Sequence, residues 1–184
     1  FVGSRGLGDV YKRQAFHEGS KFSMARETGR VNNLAESVQK KCSPASLGIA
    51  HTRWATHGAV TVSNTHPHLS YDEKFVLVHN GVIENFGALK RFLSDKGIDF
   101  ASETDSEVLC NLIAFHYSEL PEGENRFVDA VRQALPQCRG AYGIAVLCLD
   151  YPDTMIGARR GSPLVVGLGA VSYTHLTLPT IVSV

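Results

Sequence analysis

Apolar and polar residues recur along this chain with two periods, and each period predicts a kind of element. Short apolar runs bounded by turn-forming residues are typical of buried strands, whereas apolar residues three or four positions apart are typical of one helix face. Val31, Leu34 and Val38 follow the helical spacing and predict a short helix over residues 31–41. The predicted strands are Ser46–Thr52, Lys74–His79, Ala141–Leu149, Thr154–Ala158 and Leu164–Val166.

Three further helices are marked by residues that typically begin or end helices. Asn85 is placed to cap a helix that ends at Gly97, because Asn favours N-caps and Gly favours the position after the C-terminus. Thr104-Asp-Ser-Glu107 matches a capping box, in which the first and fourth residues bond each other's backbone N–H. The third helix covers about residues 126–135. Because strands and helices come in runs rather than in strict alternation, the pattern predicts an α+β fold.

Length, loop composition and charge narrow the class of protein. A chain of 184 residues suits one domain with a real core, and residues 54–70 have the Thr, Ser, Asn, Gly and Pro content of a loop. The formal net charge of zero argues against nucleic acid and acidic membranes as partners. No apolar run approaches the roughly 20 residues that span a bilayer, and no signal-peptide pattern is present. We therefore expect a cytoplasmic protein that binds neither nucleic acid nor membrane.

The four cysteines are Cys42, Cys110, Cys138 and Cys148, and no two of them form a C-x-x-C pair. Their wide separation argues against a zinc site or a redox motif. Cys110 and Cys148 lie in apolar runs and are predicted to be buried, whereas Cys42 and Cys138 are predicted to be free surface thiols. None of the four is interpreted as a catalytic nucleophile.

Histidines are dense in one part of the chain, where a metal site is the alternative to hydrogen bonding. His66-Pro-His68 resembles a pair of ligands, but no acidic or cysteine residue stands at ligand spacing and the proline stiffens the pair. We therefore interpret the histidines as partners in loop and strand-end hydrogen bonds, and we expect no metal and no cofactor. The residues concerned are His51, His57, His66, His68 and His79.

Two stretches carry groups suited to holding and attacking a small amino-acid amide. In the first, Arg53 offers a guanidinium that can hold a carboxylate with two parallel hydrogen bonds. In the second, the Asn80 side chain and the Gly81 backbone N–H can share a developing oxyanion. Each has a structural alternative, because Arg53 can form an ion pair and Asn80-Gly81 is the strongest short-range signal for a type I′ hairpin. Helical sequence soon after Gly81 weakens the hairpin interpretation.

Six motifs occur in an order and spacing that resemble one known family. They lie at residues 51–58, 64–68, 78–85, 102–107, 139–143 and 160–169. Over about residues 26–170 the chain is similar to the glutaminase domain of glucosamine-6-phosphate synthases, the isomerising glutamine–fructose-6-phosphate aminotransferases. The resemblance implies a class II glutamine amidotransferase with the N-terminal-nucleophile hydrolase fold. That fold is a four-layer αββα sandwich, expected here without its first strands.

The resemblance implies roles for residues that bind the substrate. Arg53 matches the arginine that holds the α-carboxylate of glutamine, and Thr56 and His57 match residues that line the same pocket. Trp54 matches a tryptophan beside the path of ammonia, although a lone tryptophan is usually part of a core or rim. His57 has the structural alternative of a hydrogen-bonding role.

The resemblance also implies roles at the other end of the pocket. Asn80 and Gly81 match the oxyanion hole, and Asp105 matches the carboxylate that binds the α-ammonium of glutamine. The alternative for Asp105 is an acidic residue in the first turn of a helix, favoured by the helix dipole by about 0.3–1 kcal/mol. The two roles are compatible.

The reaction implied by the resemblance starts with the thiol of an N-terminal cysteine, which attacks the amide of L-glutamine with its own α-amino group as base. The ammonia released aminates fructose 6-phosphate in a separate C-terminal sugar-isomerase domain, and the product is glucosamine 6-phosphate. The expected partners are therefore L-glutamine and that sugar-isomerase domain, and the full-length enzyme is expected to be a homo-oligomer.

The two ends of the chain depart from the family pattern. Residues 1–14 have neither strand nor helix periodicity, and both they and residues 171–184 resemble translated sequencing-adapter sequence. We expect these to be non-native segments around a partial amidotransferase domain at residues 15–170. Phe1 stands where the family has its cysteine and cannot form a thioester, so the chain as written is expected to lack glutaminase turnover.

Two other functions stay open at this point. One is a non-catalytic glutamine-binding or assembly module of the same fold. The other is a different class II amidotransferase, such as an amidophosphoribosyltransferase, against which the Arg-Trp-Ala-Thr-His-Gly and His-Pro-His motifs argue.

Overall fold

The computed structural model describes residues 11–28, 45, 47–53 and 64–165. Within these ranges the chain forms seven strands, three α-helices and one short 3-10 helix. The strands are β1 (Tyr11–His17), β2 (Phe22–Thr28), β3 (Gly48–Arg53), β4 (His68–Leu69), β5 (Phe75–Ile83), β6 (Gly140–Cys148) and β7 (Met155–Arg160). The helices are α1 (Phe86–Asp95), α2 (Asp105–Glu119) and α3 (Arg126–Ala134), and the 3-10 helix covers Leu135–Gln137.

The described strands form two antiparallel sheets that are stacked with the helices. One sheet is three-stranded with the order β2-β1-β3, and the other is four-stranded with the order β4-β5-β6-β7. Along β5, Phe75 and Leu77 face the helices whereas Val76 faces the three-stranded sheet, as the two-residue period of a strand requires. Helices, four-stranded sheet and three-stranded sheet are therefore three successive layers. The second helical layer of the predicted sandwich, and the helix predicted over residues 31–41, lie outside the described residues.

Two apolar clusters hold the layers together. The larger cluster lies between the helices and the four-stranded sheet, and it includes Leu109, Ile113 and Phe127, each with no exposed surface. Burying a side chain of this size stabilises the fold by about 1.5–3 kcal/mol. The smaller cluster lies between the sheets, where Ile49 of β3 packs with Val76 of β5. The second cluster brings the end of β3 towards β5, and this approach positions the candidate site.

Most of the predicted elements are confirmed with small shifts in their boundaries. Four predicted strands correspond to β3, β5, β6 and β7, and the three helices predicted after residue 85 correspond to α1, α2 and α3. Within the predicted loop at 54–70, residues 54–63 lie outside the described ranges and His68–Leu69 form β4. None of the helices in the described part of the chain has the length and apolar content to cross a bilayer.

Two predictions are wrong near the ends of the described ranges. No regular element is predicted in residues 1–14, yet residues 11–14 belong to β1, which pairs with β2 on one edge and with β3 on the other. A central strand gains hydrogen bonds on both edges, and these outweigh a weak sequence pattern. That the segment is non-native stays a prediction. At the other end, Leu164 and Val165 form no strand, because Gly161 turns the chain with a φ of +74° and Pro163 has no N–H to donate.

The helix starts also differ from the predicted caps. Asn85 precedes α1 but makes no capping hydrogen bond. Its side chain instead donates to Gln137 O at 2.9 Å and accepts from Arg139 N at 2.8 Å, so it ties the start of α1 to the segment before β6. At α2 only half of the predicted capping box forms, with Thr104 Oγ1 accepting from Glu107 N at 3.2 Å.

Candidate functional site

The candidate site lies on β5, where Asn80 and Gly81 are exposed near the end of the strand. The strand continues through these two residues to Ile83 and pairs with β6 from one end to the other. A hairpin turn at Asn80-Gly81 is therefore wrong. The physical reason is that β6 supplies backbone hydrogen-bond partners along the whole of β5, so the strand continues through Asn80-Gly81.

Position 81 accepts only glycine. Its φ of +138° lies in a region that other residues rarely adopt, and a Cβ atom there would overlap the backbone oxygen of Ala141 on β6. The close approach fixes the Gly81 peptide against β6, directly after the exposed side chain of Asn80.

Asn80 is oriented by a histidine from the other sheet. Nε2 of His51, on β3, lies 2.9 Å from Oδ1 of Asn80. Because an amide oxygen can only accept, the imidazole is the donor. The two N–H donors of the Asn80 amide take no part in this contact. The His51 ring also stacks on the His66 ring with 4.4 Å between centroids. Donors fixed in this way are what the stabilisation of an oxyanion requires.

Asp105, the first residue of α2, directs its carboxylate to the same part of β5. Oδ2 of Asp105 accepts from Ile83 N at 2.8 Å and lies 3.9 Å from Nδ1 of His79. Since His79 and Ile83 precede and follow Asn80-Gly81 on the strand, the carboxylate lies alongside that pair. The Asp105 side chain is 22% exposed, so it can also accept from a ligand. Its place in the first helical turn lets it interact with the helix dipole as well.

Behind Asp105, one buried hydroxyl joins three side chains. Oγ of Ser106 lies 2.9 Å from Nδ1 of His79, 3.3 Å from Nε2 of His66 and 3.3 Å from Oδ1 of Asp105. Nδ1 of His66 in turn accepts from His79 N at 3.1 Å. Together with the contact of His51, these bonds confirm loop and strand-end hydrogen bonding for His51, His66 and His79. His57 lies outside the described residues.

Burial perturbs the titration of His79, which lies beside the site. Desolvation lowers the pKa of His79 from its ordinary value, because removal from water penalises the imidazolium. The Asp105 carboxylate acts in the opposite sense and His51 lowers the pKa further, but burial is the largest cause. His79 is therefore neutral at physiological pH.

The segment before α2 is anchored by a buried glutamate. The Glu107 carboxylate accepts from Ala101 N at 2.8 Å and from Ser102 N at 2.7 Å, and it also accepts from the Ser102 hydroxyl. Glu107 is only 5% exposed, so the bonds replace the water that the carboxylate gives up. This anchor ties residues 101–102 to the first turn of α2.

The structure places some of the predicted site residues but not all. Asn80, Gly81 and Asp105 converge as described above. Arg53 is the last residue of β3, two positions after His51, and its backbone pairs with Tyr11 of β1. The side chain of Arg53 is outside what the structure describes, and so are Trp54, Thr56 and His57 in full.

The cysteines in the described ranges are unsuited to nucleophilic attack. Cys110, Cys138 and Cys148 are all buried, so the prediction that Cys138 is a surface thiol is wrong. Cys138 follows the 3-10 helix and packs with Ala134 and Leu135 in the larger apolar cluster. Burial raises the pKa of Cys138 to about 11, that of Cys148 to about 12, and that of Cys110 above its usual value. Cys42 lies outside the described residues. Among the residues that are described, no three His, Cys, Asp or Glu side chains could hold a metal ion.

The sequence did not single out Ser106 as part of the site. In the sequence it is one of the four residues of a capping-box motif, and that motif assigns no role to its hydroxyl. A short polar residue directly after a candidate ligand-binding acid was the available signal, but the convergence of His66 and His79 on it depends on the fold.

Comparison with protein families and with curated proteins gives consistent relatives. Residues 31–122 match the glutamine amidotransferase domain. The chain is 47% identical over 166 residues to the isomerising glutamine–fructose-6-phosphate aminotransferase of Acinetobacter baylyi, which covers 90% of this chain and 25% of that protein. It is 42% identical over 153 residues to the enzyme of the same name from Caldanaerobacter subterraneus, covering 83% of this chain and 24% of that protein. The chain thus spans about a quarter of the length of these curated relatives.

Solved structures give the fold independently. Glutamine phosphoribosylpyrophosphate amidotransferase from B. subtilis superposes with a TM-score of 0.61 at 25% identity, covering 83% of this chain and 31% of that one. A structure described as the allosteric regulatory enzyme of purine biosynthesis gives a TM-score of 0.62 at 26% identity, with the same coverage. These similarities confirm the predicted α+β, N-terminal-nucleophile hydrolase fold. Because the family model matches half of its length, the chain belongs to the glutamine amidotransferase domain family.

Proposed function

We propose that this chain is the glutamine-hydrolysing part of an isomerising glutamine–fructose-6-phosphate aminotransferase, which supplies ammonia for the synthesis of glucosamine 6-phosphate. The observation that carries the proposal is the arrangement on β5, where the Asn80 amide is aimed by His51 and the Asp105 carboxylate is held by Ile83 N beside it. The 42–47% identity to curated enzymes of that name supports it.

The amide end of the substrate binds at Asn80 and Gly81. The Asn80 N–H groups and the backbone N–H of Gly81 stabilise the oxyanion that forms when a nucleophile adds to the glutamine side-chain carbonyl. Fixed donors of this kind act mainly on the transition state, and the loss of one typically lowers the rate about 100- to 1,000-fold. The nucleophile that the family uses, an N-terminal cysteine, is not among the described residues.

The amino-acid end of the substrate binds at Asp105 and Arg53. Asp105 accepts from the α-ammonium, since its carboxylate is partly exposed and already oriented by backbone and hydroxyl donors. Arg53 holds the α-carboxylate with its planar pair of donors. Thr56 and His57 line the same pocket, and Trp54 lies beside the path of ammonia.

The rest of the reaction belongs to parts of the enzyme beyond this chain. The chain spans about a quarter of the length of its curated relatives. In this proposal the remainder contains a sugar-isomerase domain that binds fructose 6-phosphate. The complete enzyme is a cytoplasmic homo-oligomer.

An amidophosphoribosyltransferase is the second candidate, and the structural similarity to enzymes of purine biosynthesis favours it. That similarity is at 25–26% identity, whereas the curated aminotransferases reach 47%. A glutaminase fold shared by both classes of enzyme explains the structural similarity at 25–26% identity. An ammonia-transfer assay of the longer protein distinguishes the two, with fructose 6-phosphate as the expected acceptor and phosphoribosyl pyrophosphate as the acceptor for the alternative.

Calorimetric titration of this chain with amino acids tests the proposed function. L-Glutamine is expected to bind, whereas L-asparagine, which is one methylene shorter, is expected to bind much more weakly. Equal binding of the two, or no binding of glutamine, would contradict the proposal. Binding of glutamine without hydrolysis by the longest form of the protein would favour the non-catalytic module.

A further inference from the structure

We propose that Ser106 is a positioning residue for ligand recognition: its hydroxyl relays a hydrogen bond from buried His79 and fixes the orientation of the Asp105 carboxylate. The inference rests on the proposed function, since it names what holds the group that receives the α-ammonium of glutamine. It concerns a residue that does not itself contact the ligand.

The protonation of His66 follows from its backbone partner. The N–H of His79 can only donate, and it lies 3.1 Å from Nδ1 of His66. Nδ1 of His66 is therefore the acceptor, so the ring proton of the neutral imidazole is on Nε2. That Nε2–H is the donor in the 3.3 Å contact with Oγ of Ser106.

The donor and the acceptor in each remaining contact of Ser106 are then fixed. A serine hydroxyl has one hydrogen and two acceptor sites, and His66 uses one of the acceptor sites. The Asp105 carboxylate can only accept, so the hydroxyl hydrogen goes to Oδ1 of Asp105. His79 must consequently donate from Nδ1 into the second acceptor site, across 2.9 Å. The three contacts use the full capacity of the hydroxyl.

The environment of His79 agrees with this arrangement. Its imidazole is buried, and within the described part of the chain its Nε2 has no hydrogen-bond partner. A proton on Nε2 would therefore be a buried donor without an acceptor, which is costly, whereas a proton on Nδ1 reaches Ser106. Burial also lowers the pKa of His79, which keeps the ring neutral and able to hold a single tautomer.

The consequence is a carboxylate held at both oxygens. Oδ2 of Asp105 accepts from Ile83 N and Oδ1 accepts from Ser106, so rotation of the carboxylate plane is restricted from two sides. The acceptor sites that are left can receive an ammonium group in a defined direction. Without the Ser106 hydroxyl, one oxygen would lose its partner and the carboxylate could turn away from the ligand.

Titration with two ligands tests this role. L-Glutamine has the α-ammonium, and 4-carbamoylbutanoate is the same molecule without it. We expect Ser106→Ala to weaken the binding of L-glutamine about tenfold, the value of one lost hydrogen bond, and to change the binding of the deaminated analogue less than about twofold. An equal loss for both ligands would mean that Ser106 is merely structural and would overturn the proposal.

Ser102→Ala is the matched control. Ser102 is also buried and also lies at the start of α2, but its hydroxyl bonds to Glu107 and Thr104 rather than to Asp105. We expect this variant to leave the ratio of the two affinities unchanged. A change in the ratio equal to that of Ser106→Ala would show that any lost hydroxyl at this helix start has the same effect, and would overturn the proposal.

Two further measurements separate the possible failures. If the wild-type chain does not prefer L-glutamine over the analogue, both the proposed function and this inference fail. If Asp105→Asn removes the preference and Ser106→Ala keeps it, only the inference fails. Should Ser106→Ala not fold, the ¹⁵N chemical shifts of His79 in the wild-type chain decide: the proton is expected on Nδ1, and a proton on Nε2 would overturn the proposal.

Discussion

Nε2 of His51 and Oδ1 of Asn80 lie 2.9 Å apart, in a contact that joins the two sheets at the candidate site. The contact fixes the direction in which the Asn80 amide oxygen points, and therefore the direction in which its N–H groups point. The orientation of the Asn80 amide on one sheet thus depends on a residue of the other sheet.

The first prediction concerns the rate of glutamine hydrolysis. In a glutamine-hydrolysing form of the protein, Asn80→Ala is expected to lower kcat about 100- to 1,000-fold with little change in KM, because the lost donor acts on the transition state. His51→Ala is expected to have a smaller effect in the same direction, since the amide stays but is no longer oriented. Steady-state release of ammonia measures both.

Asn85→Ala is the control for that experiment. Asn85 also carries a side-chain amide and follows β5. Its amide is hydrogen-bonded to Gln137 O and Arg139 N, away from the site. Its removal is expected to reduce stability and leave kcat within about threefold of wild type, well below the loss for an oxyanion donor. A fall in kcat as large as that of Asn80→Ala would contradict the assignment.

The second prediction concerns the stability of the strand at Gly81. Gly81→Ala is expected to lower the free energy of unfolding by about 2–4 kcal/mol, because the new Cβ overlaps the Ala141 backbone and the residue is held at a φ of +138°. Gly87→Ala, in α1, is the matched control, since its Cβ would meet nothing within 4 Å. That change is expected to be neutral or to stabilise by up to about 1 kcal/mol. Urea unfolding measures both, and equal effects would refute the structural argument.

The third prediction concerns stability against pH. Folding lowers the pKa of His79 from its ordinary value of 6.5. Near and below pH 6.5 the unfolded chain therefore binds more protons than the folded chain. The contribution of His79 to stability is therefore complete above about pH 6.5 and is lost as the pH falls. Burial lowers the pKa of His116 as well, which adds to the same slope.

Unfolding in urea at pH 8, 7, 6 and 5 tests the pH dependence. The wild-type chain is expected to lose stability towards pH 5, and His79→Gln is expected to have a shallower slope that is still not flat, because His116 titrates too. An identical slope in the variant would mean that His79 is not held neutral by the fold.

The fourth prediction concerns the buried cysteines. In the native chain, Cys110, Cys138 and Cys148 are expected to react with an alkylating reagent no faster than the protein unfolds, because they are buried and their pKa values are raised. Mass spectrometry of labelled peptides locates the modified residues, and denatured protein serves as the fully reactive control. Rapid labelling of native Cys138 would restore the prediction of a surface thiol.

Sequence reasoning succeeded where a local pattern decides the structure. The apolar run before His79 and the signals around Gly97 and Thr104 reflect short-range rules, and the strand and helices they predict are confirmed. The order of motifs singles out Asn80 and Asp105, and the structure places the Asp105 carboxylate beside the part of β5 that carries Asn80; their roles stay a prediction.

Sequence reasoning failed where residues far apart in the chain decide the structure. Residues 11–14 are a strand because β2 and β3 lie on both sides, and Cys138 is buried because β6 returns beside the helices. The role inferred for Ser106 needs His66 and His79 in place, and no spacing in the chain indicates that convergence.

The most direct test of the central claim is calorimetric titration of this chain and of its Asp105→Asn variant with L-glutamine and 4-carbamoylbutanoate. We predict that the wild-type chain binds L-glutamine at least about tenfold more tightly than the deaminated analogue, and that Asp105→Asn removes this preference by weakening only the binding of L-glutamine. If the wild-type chain binds neither ligand, or if the preference survives in the variant, the site on β5 is not the glutamine site proposed above.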